Sequence, residues 1–228
     1  TGLCSPIHDI AVWTHDAGAR PFVDAAQLAP HRPIAMLSDD DPRHLDFLAL
    51  SAHKMYAPFG TGALIGPKSF FAEGEPDMVG GGVVEIVTLE SAMWNRPPHK
   101  EEAGTPNVVG GVALAAAIGV LQRVGMDTIA AHETELLEYA YRKLRGMRGI
   151  ELYGPTADLS GKVGTITFNV EGKHHSLVAA ILGTEGGIGV RDGCFCAHPY
   201  VKLLRKVTPE EDQRFTAKVL SGNKSHMP

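Results

Sequence analysis

Two apolar runs early in the chain each stop at a charged residue. The first is FVDAAQLAPH, where Phe22 and Val23 lead into Asp24. The second is DFLALSAHKMYAPFGTGALIG, where the run from Phe47 passes Ser51 and His53 to reach Lys54. A glycine-rich turn then separates Lys54 from a third apolar run, GALIG. Runs this short, bounded by turn residues, predict strands rather than helices. FVD is expected to be a short buried strand with a polar end. Ahead of it, PIHDIAVWTHDAGA places Ile7, Ile10, Ala11 and His15 near helical spacing, with Gly18 as the stop. Helix, strand, loop, strand, turn, strand is the order of an α/β sheet, whose functional groups collect at strand ends.

The remainder continues the pattern. HRPIAMLSDDDPRHL is a polar loop, and MVGGGVVEIVTL puts three glycines before a β-branched run. WNRPPHKEEAGTPN is a loop by its proline and glycine content, and GGVALAAAIGVLQRVG reads as a helix of small residues. DTIAAHETELLEYAYRKLRGM is the clearest helix: Ile129, His132, Leu136, Leu137, Ala140, Tyr141 and Leu144 mark one face, between Asp127 and Gly146. ELYGP and GTITFNVEG predict strands, HHSLVAAILGTEGG a helix, and IGVRDGCFCAHPY a short strand running into a tight loop. TPEEDQRFTAKVLSGN predicts a polar helix. The composition shifts near residue 110, which suggests one domain over 1–110 and a second, incomplete one over 111–228.

Composition excludes several classes of function. The 228 residues carry a net charge of −5, which gives no field for nucleic acid. No apolar run is long enough to span a bilayer, so no membrane partner is expected. Cys4, Cys194 and Cys196 are too few and too unevenly placed for a disulfide framework, which points to the reducing cytoplasm. A chain that opens on Thr1 and closes with SGNKSHMP suggests an internal fragment of a longer protein.

Lys54 and Asp24 suggest a chemistry. A lysine amine attacks carbonyls only when part of its population is neutral, which burial promotes. Pyridoxal phosphate needs such a lysine for its Schiff base and a carboxylate to keep its ring nitrogen protonated. Gln27 could bond the ring's phenolic oxygen, and Ser51 and His53 offer donors for a phosphate. The residues alone leave other readings open: an aspartate closing a strand is commonly a loop cap, and a lysine after a strand is commonly a solvated end.

The combination of FVDAAQLAPH and LSAHKMYAPFGTGALIG resembles the class V aminotransferase family of fold-type I pyridoxal-phosphate enzymes. Within it, the nearest resemblance is to the cysteine desulfurases and selenocysteine lyases. Two further segments fit in order: EAGTPN at 102–107 after Gly80, Gly81 and Gly82, and VRDGCFCAHP at 190–199. The resemblance implies an α/β fold: the C-terminal part of a large domain with a mixed, mostly parallel sheet, then a smaller α/β domain. It also implies that regions ahead of and beyond this chain complete the fold.

Carried over by position, the resemblance implies roles. Lys54 is the Schiff-base lysine, Asp24 the pyridinium partner and Gln27 the phenolate partner. Ser51 and His53 hold the phosphate, and Thr105 reaches the cofactor of the other subunit in a homodimer. Arg191 clamps the substrate carboxylate, a bidentate task suited to guanidinium. Cys196 takes sulfur or selenium from cysteine or selenocysteine as a persulfide, leaving alanine, with a sulfur-acceptor protein downstream. Aminotransferases, epimerases and carbon–sulfur lyases of the family share Lys54 and Asp24, so these two do not discriminate, and an inactive binding subunit is a further alternative.

Cys194, Cys196 and His198 also admit other readings. Two cysteines and a histidine resemble part of a zinc site, although C-x-C is a poor match to the usual spacing. They also suit small buried side chains. No metal is expected, and Cys194 could resolve a persulfide on Cys196 or pair with it reversibly.

Overall fold

The structure is a computed structural model in which residues 1–222 are described. The end of the last expected helix at Asn223, and the tail after it, lie outside them. The chain forms two compact units. The first comprises Leu3–Leu136 with Gly161–Gly164, and the second comprises Thr1–Gly2, Leu137–Ser160 and the chain from Thr165 onward. The compositional shift near residue 110 marks the start of a helix, whereas the division between units runs inside the next one.

In the first unit, α1 (Ile7–Asp16) ends before Gly18, whose φ of 72° turns the chain towards β1 (Phe22–Asp24). β1 pairs in parallel with β2 (Phe47–Ser51), and β2 pairs antiparallel with β3 (Gly62–Ile65). The mixed α/β character is as expected, with one parallel and one antiparallel pairing in this sheet. β1 is less buried than its composition suggests: Phe22 is 58% exposed, while Phe47 opposite it is 7% exposed. Phe47 is instead enclosed edge-on by Phe70 and Phe71 of α2 (Lys68–Ala72).

β4 (Val84–Val87) and β5 (Ala92–Trp94) form a separate hairpin. Nearby, the buried Lys100 amine donates to the carbonyls of Phe71, Glu73 and Gly74 at 2.9, 2.6 and 2.9 Å. α3 (Val108–Val124) and α4 (Met126–Leu144) follow, separated by Gly125 at φ 89°. The core of this unit joins Ala52, Met55 and Ala57 to Leu114 and Leu121 of α3. Full burial of each leucine stabilises by about 1.5–3 kcal/mol. His31 and Arg32 anchor the loop after β1 to Glu133 of α4 at 2.7 and 3.2 Å.

In the second unit, Leu137 and Tyr141 are the buried residues of α4, whereas Leu136, the last helical residue of the first unit, is 54% exposed. β6 (Ile150–Tyr153) pairs antiparallel with β7 (Thr167–Val170). α5 (His175–Thr184), α6 (His198–Leu204) and α7 (Pro209–Leu220) complete it. Thr208 and Glu211 form a capping box at the start of α7. The strand expected in IGVRDGCFCAHPY does not form; this segment is irregular until α6 begins.

Candidate active site

Parallel pairing brings the carboxyl ends of β1 and β2 to one edge of the sheet. Asp24 stands opposite Ala49, and the Ala25 N–H donates to Ala49 O at 3.0 Å. Asp24 is exposed, and its Oδ1 accepts from the Ala26 N–H at 2.9 Å. That bond is the turn-capping arrangement common for aspartate, and it commits one oxygen only. Gln27 lies exposed on the turn that follows, closed by Leu28 N–H to Ala25 O at 3.0 Å.

β2 runs past Ser51 into a single 3-10 turn, Ala52–Met55. Ala52 and Met55 are buried in the core against α3, which leaves His53 exposed and Lys54 half-buried between them. Ser51 Oγ lies 3.0 Å from His53 Nδ1. No hydrogen bond or ion pair engages the Lys54 amine among the described residues. A neck closes the loop beyond it: Ala52 N–H donates to Thr61 O and Ala57 N–H to Ala52 O, both at 3.0 Å. Tyr56 and Phe59 take left-handed φ values of 66° and 74°, and both rings are exposed. The turn is therefore tight but not dry.

Asn107 contributes a restraint that the motif reading missed. Its Oδ1 accepts from Gly110 N–H at 2.9 Å and caps α3, while its Nδ2 donates to Phe59 O at 2.5 Å. One side chain thus starts the supporting helix and holds the lysine loop. Gly110 is required by this closeness, because a Cβ there would meet Asn107 Nδ2 at 2.6 Å and Thr61 Cβ at 2.9 Å. An asparagine directly before an apolar helical run is the sequence signal for such a cap. The EAGTPN segment meets the glycine run through Gly104 N–H to Gly81 O at 2.8 Å, with Thr105 exposed beside it.

Arg191 and Cys196 lie in the second unit. Cys196 is exposed and Cys194 half-buried. Phe195 and Cys196 take φ values of 52° and 59°, two successive non-glycine residues in the left-handed region. Each such residue costs about 1–3 kcal/mol, so the surrounding loop must hold them. The Arg191 guanidinium lies 6.0 Å from the Phe195 ring centroid. Asp192 ties this loop to α5, its Oδ2 lying 2.8 Å from both Ser176 Oγ and His175 Nδ1. The Ser176 hydroxyl and then the His175 ring hold the Asp192 carboxyl below its ordinary value. Sequence reading had no access to this tether, which joins residues 16 and 17 positions apart.

Residues 1–208 match the family pattern described as aminotransferase class-V. A probable cysteine desulfurase of Halobacterium salinarum is 43% identical over 198 residues, 87% of this chain and 46% of the relative. A probable cysteine desulfurase of Xylella fastidiosa is 36% identical over 234 residues, 98% of this chain and 54% of the relative. The chain thus spans about half the length of these curated relatives. An apo cysteine desulfurase from Thermococcus onnurineus NA1 is similar in structure, with a TM-score of 0.82 and 33% identity over 99% of this chain and 57% of that one. A cysteine desulfurase from Escherichia coli, in its S-sulfonic acid form, gives 0.74 and 31% over 87% and 47%. By the extent of that match and the order of its motifs, this chain belongs to the aminotransferase class-V family.

Proposed function

We propose that this chain carries the lysine, aspartate and cysteine of a pyridoxal-phosphate-dependent, cysteine desulfurase-like enzyme. The observation that carries the proposal is the exposed Asp24 carboxylate and the half-buried, uncommitted Lys54 amine at the carboxyl edge of one parallel strand pair. The donor set fits pyridoxal phosphate: an amine for the aldehyde, a carboxylate for the ring nitrogen, an amide for the phenolic oxygen, and a hydroxyl and imidazole for the phosphate.

When bound, the cofactor supplies an electron sink for charge developing at the substrate α-carbon. Lys54 would hold the aldehyde, and its amine, when free, would carry a proton to and from the substrate α-carbon. Asp24, with one oxygen left uncommitted by Ala26, would keep the ring nitrogen protonated. Gln27 donates to the phenolic oxygen, and Ser51 and His53 donate to the phosphate. Thr105 serves the phosphate in the second subunit of a homodimer. Arg191 grips the substrate carboxylate through two parallel N–H donors.

Cys196 Sγ attacks the substrate sulfur as a thiolate. The S–S bond forms as the carbon–sulfur bond breaks, and the electron pair stays on carbon, which a proton converts to the methyl group of alanine. The persulfide then passes to a sulfur acceptor. An exposed cysteine held at φ 59° supports sulfur or selenium removal over transamination or epimerisation, which need no thiol. The three free cysteines support a cytoplasmic setting.

The test is borohydride reduction of the intact protein with pyridoxal phosphate, followed by mass spectrometry. A pyridoxyl group on Lys54 is expected. A folded protein with no adduct there overturns the proposal.

A further inference from the structure

A second cluster lies in the first unit, at the other end of β2 from Lys54. His15 stands in the last turn of α1, His44 in the loop before the sheet, and Asp46 directly ahead of Phe47. Asp46 is 8% exposed, and both histidines are partly buried beside it. The two imidazoles stack with centroids 4.3 Å apart.

The hydrogen bonds fix which ring nitrogens are available. His15 Nδ1 lies 2.9 Å from Pro42 O, and His44 Nδ1 lies 2.7 Å from Asp41 O. A carbonyl oxygen only accepts, so each Nδ1 carries the hydrogen and donates it. In the neutral ring, each Nε2 is then a bare lone pair. Both face one carboxylate oxygen: His15 Nε2 is 2.8 Å and His44 Nε2 3.6 Å from Asp46 Oδ2. Two lone pairs set against a buried anion repel it unless a cation joins them. Arg20 does not fill that role, since its Nε lies 3.9 Å away on the other oxygen, Oδ1. A proton on His15 relieves one of the contacts, whereas a metal ion relieves all of them.

We infer that His15, His44 and Asp46 form a binding site for a divalent transition-metal ion of the zinc, cobalt and nickel class. Their ligand atoms lie within 4.8 Å of one another. Tetrahedral bonds of about 2.0–2.2 Å set ligand atoms roughly 3.3–3.6 Å apart, so the 2.8 Å His15–Asp46 contact opens while more widely spaced ligand atoms close on the ion. Two imidazoles and one carboxylate favour these metals over calcium or magnesium, which take oxygen ligands. Imidazoles whose Nδ1–H is held by a carbonyl have the orientation and tautomer that metal-ligating histidines need. The partial exposure of both rings leaves room for a water as fourth ligand. The ion would clamp α1, the 41–44 loop and the start of β2 together. The site is independent of the chemistry proposed for Lys54.

The experiment uses the intact protein, freed of metal by dialysis and alkylated at its cysteines so that thiols do not compete. Cobalt(II) is titrated in and followed by its visible absorption and by calorimetry. One ion per chain is expected, with affinity about tenfold or more weaker in both His15→Gln and His44→Gln. In wild-type protein, added zinc should shift the Nε2 resonances of both rings in nitrogen-15 spectra, a readout that needs no variant. Absence of stoichiometric binding, unchanged Nε2 resonances, or equal affinity in folded variants overturns the inference.

Discussion

Lys54 owes its position to its neighbours. Ala52 and Met55 are buried on either side of it in the 3-10 turn, so the amine cannot withdraw into the core. Lys54→Ala is expected to abolish the borohydride-trapped adduct while leaving the fold intact, as read by mass spectrometry and circular dichroism. Cys196→Ala is expected to keep that adduct and lower alanine formation from cysteine on the order of 10³-fold. Alanine release at the wild-type rate would remove Cys196 from the chemistry. Asp192 carries a pH signature. Its carboxyl titrates below the ordinary 3.8, so its tether to α5 is complete above that pH and is lost only as pH falls through the lowered value. The Asp192 carboxyl carbon-13 resonance, followed from neutral to strongly acid pH, should therefore show its own titration step below 3.8. Lys54, Asp24 and Cys196 could be singled out because their motifs are local in sequence. His15 and Asp46 meet across 31 residues, so no local pattern announces them.

The supporting elements make the next set of expectations. Asn107→Ala removes the cap of α3 and the bond to Phe59 O together. A loss of about 1–2 kcal/mol in urea unfolding is expected, at the upper end for a cap because the lysine loop loses its anchor too. α1, α3 and α4 were legible because each repeats apolar or small residues at helical spacing before a glycine, whereas α7 was read as a polar helix. α2 is one turn of KSFFA, too short for periodicity, and α6 begins inside a motif read for its chemistry. β5 is a strand only because AMW finds β4 as a partner, with Trp94 opposite Val84. The opposite failure befell IGV at 188–190, whose apolar run lacks a paired strand and leads towards the left-handed turn at Phe195 and Cys196.

At the scale of the whole molecule, the exposed apolar residues set the expectation. Val108, Val109 and Val112 are exposed at the start of α3, in the same unit as Lys54. The homodimer proposed above is expected to cover them. Val112→Asp is expected to shift sedimentation towards the monomer, by introducing a charge where an apolar contact is needed. An unchanged dimer would place the interface elsewhere. The order of the four motifs made the family legible. The division inside α4 was not, because one continuous helix serves both units and composition changes at its predecessor.

The amine of Lys100, enclosed by three backbone carbonyls, has a consequence for labelling. Any aldehyde or acylating reagent in excess will mark surface lysines without discrimination, and Lys54 will be only one of many. Lys100 must first lose its three carbonyl partners before it can react. It is a built-in chemical clock for opening of the first unit: a tag on Lys54 with Lys100 untouched reports labelling of the folded chain, and simultaneous tagging of both reports a chain that had already come apart.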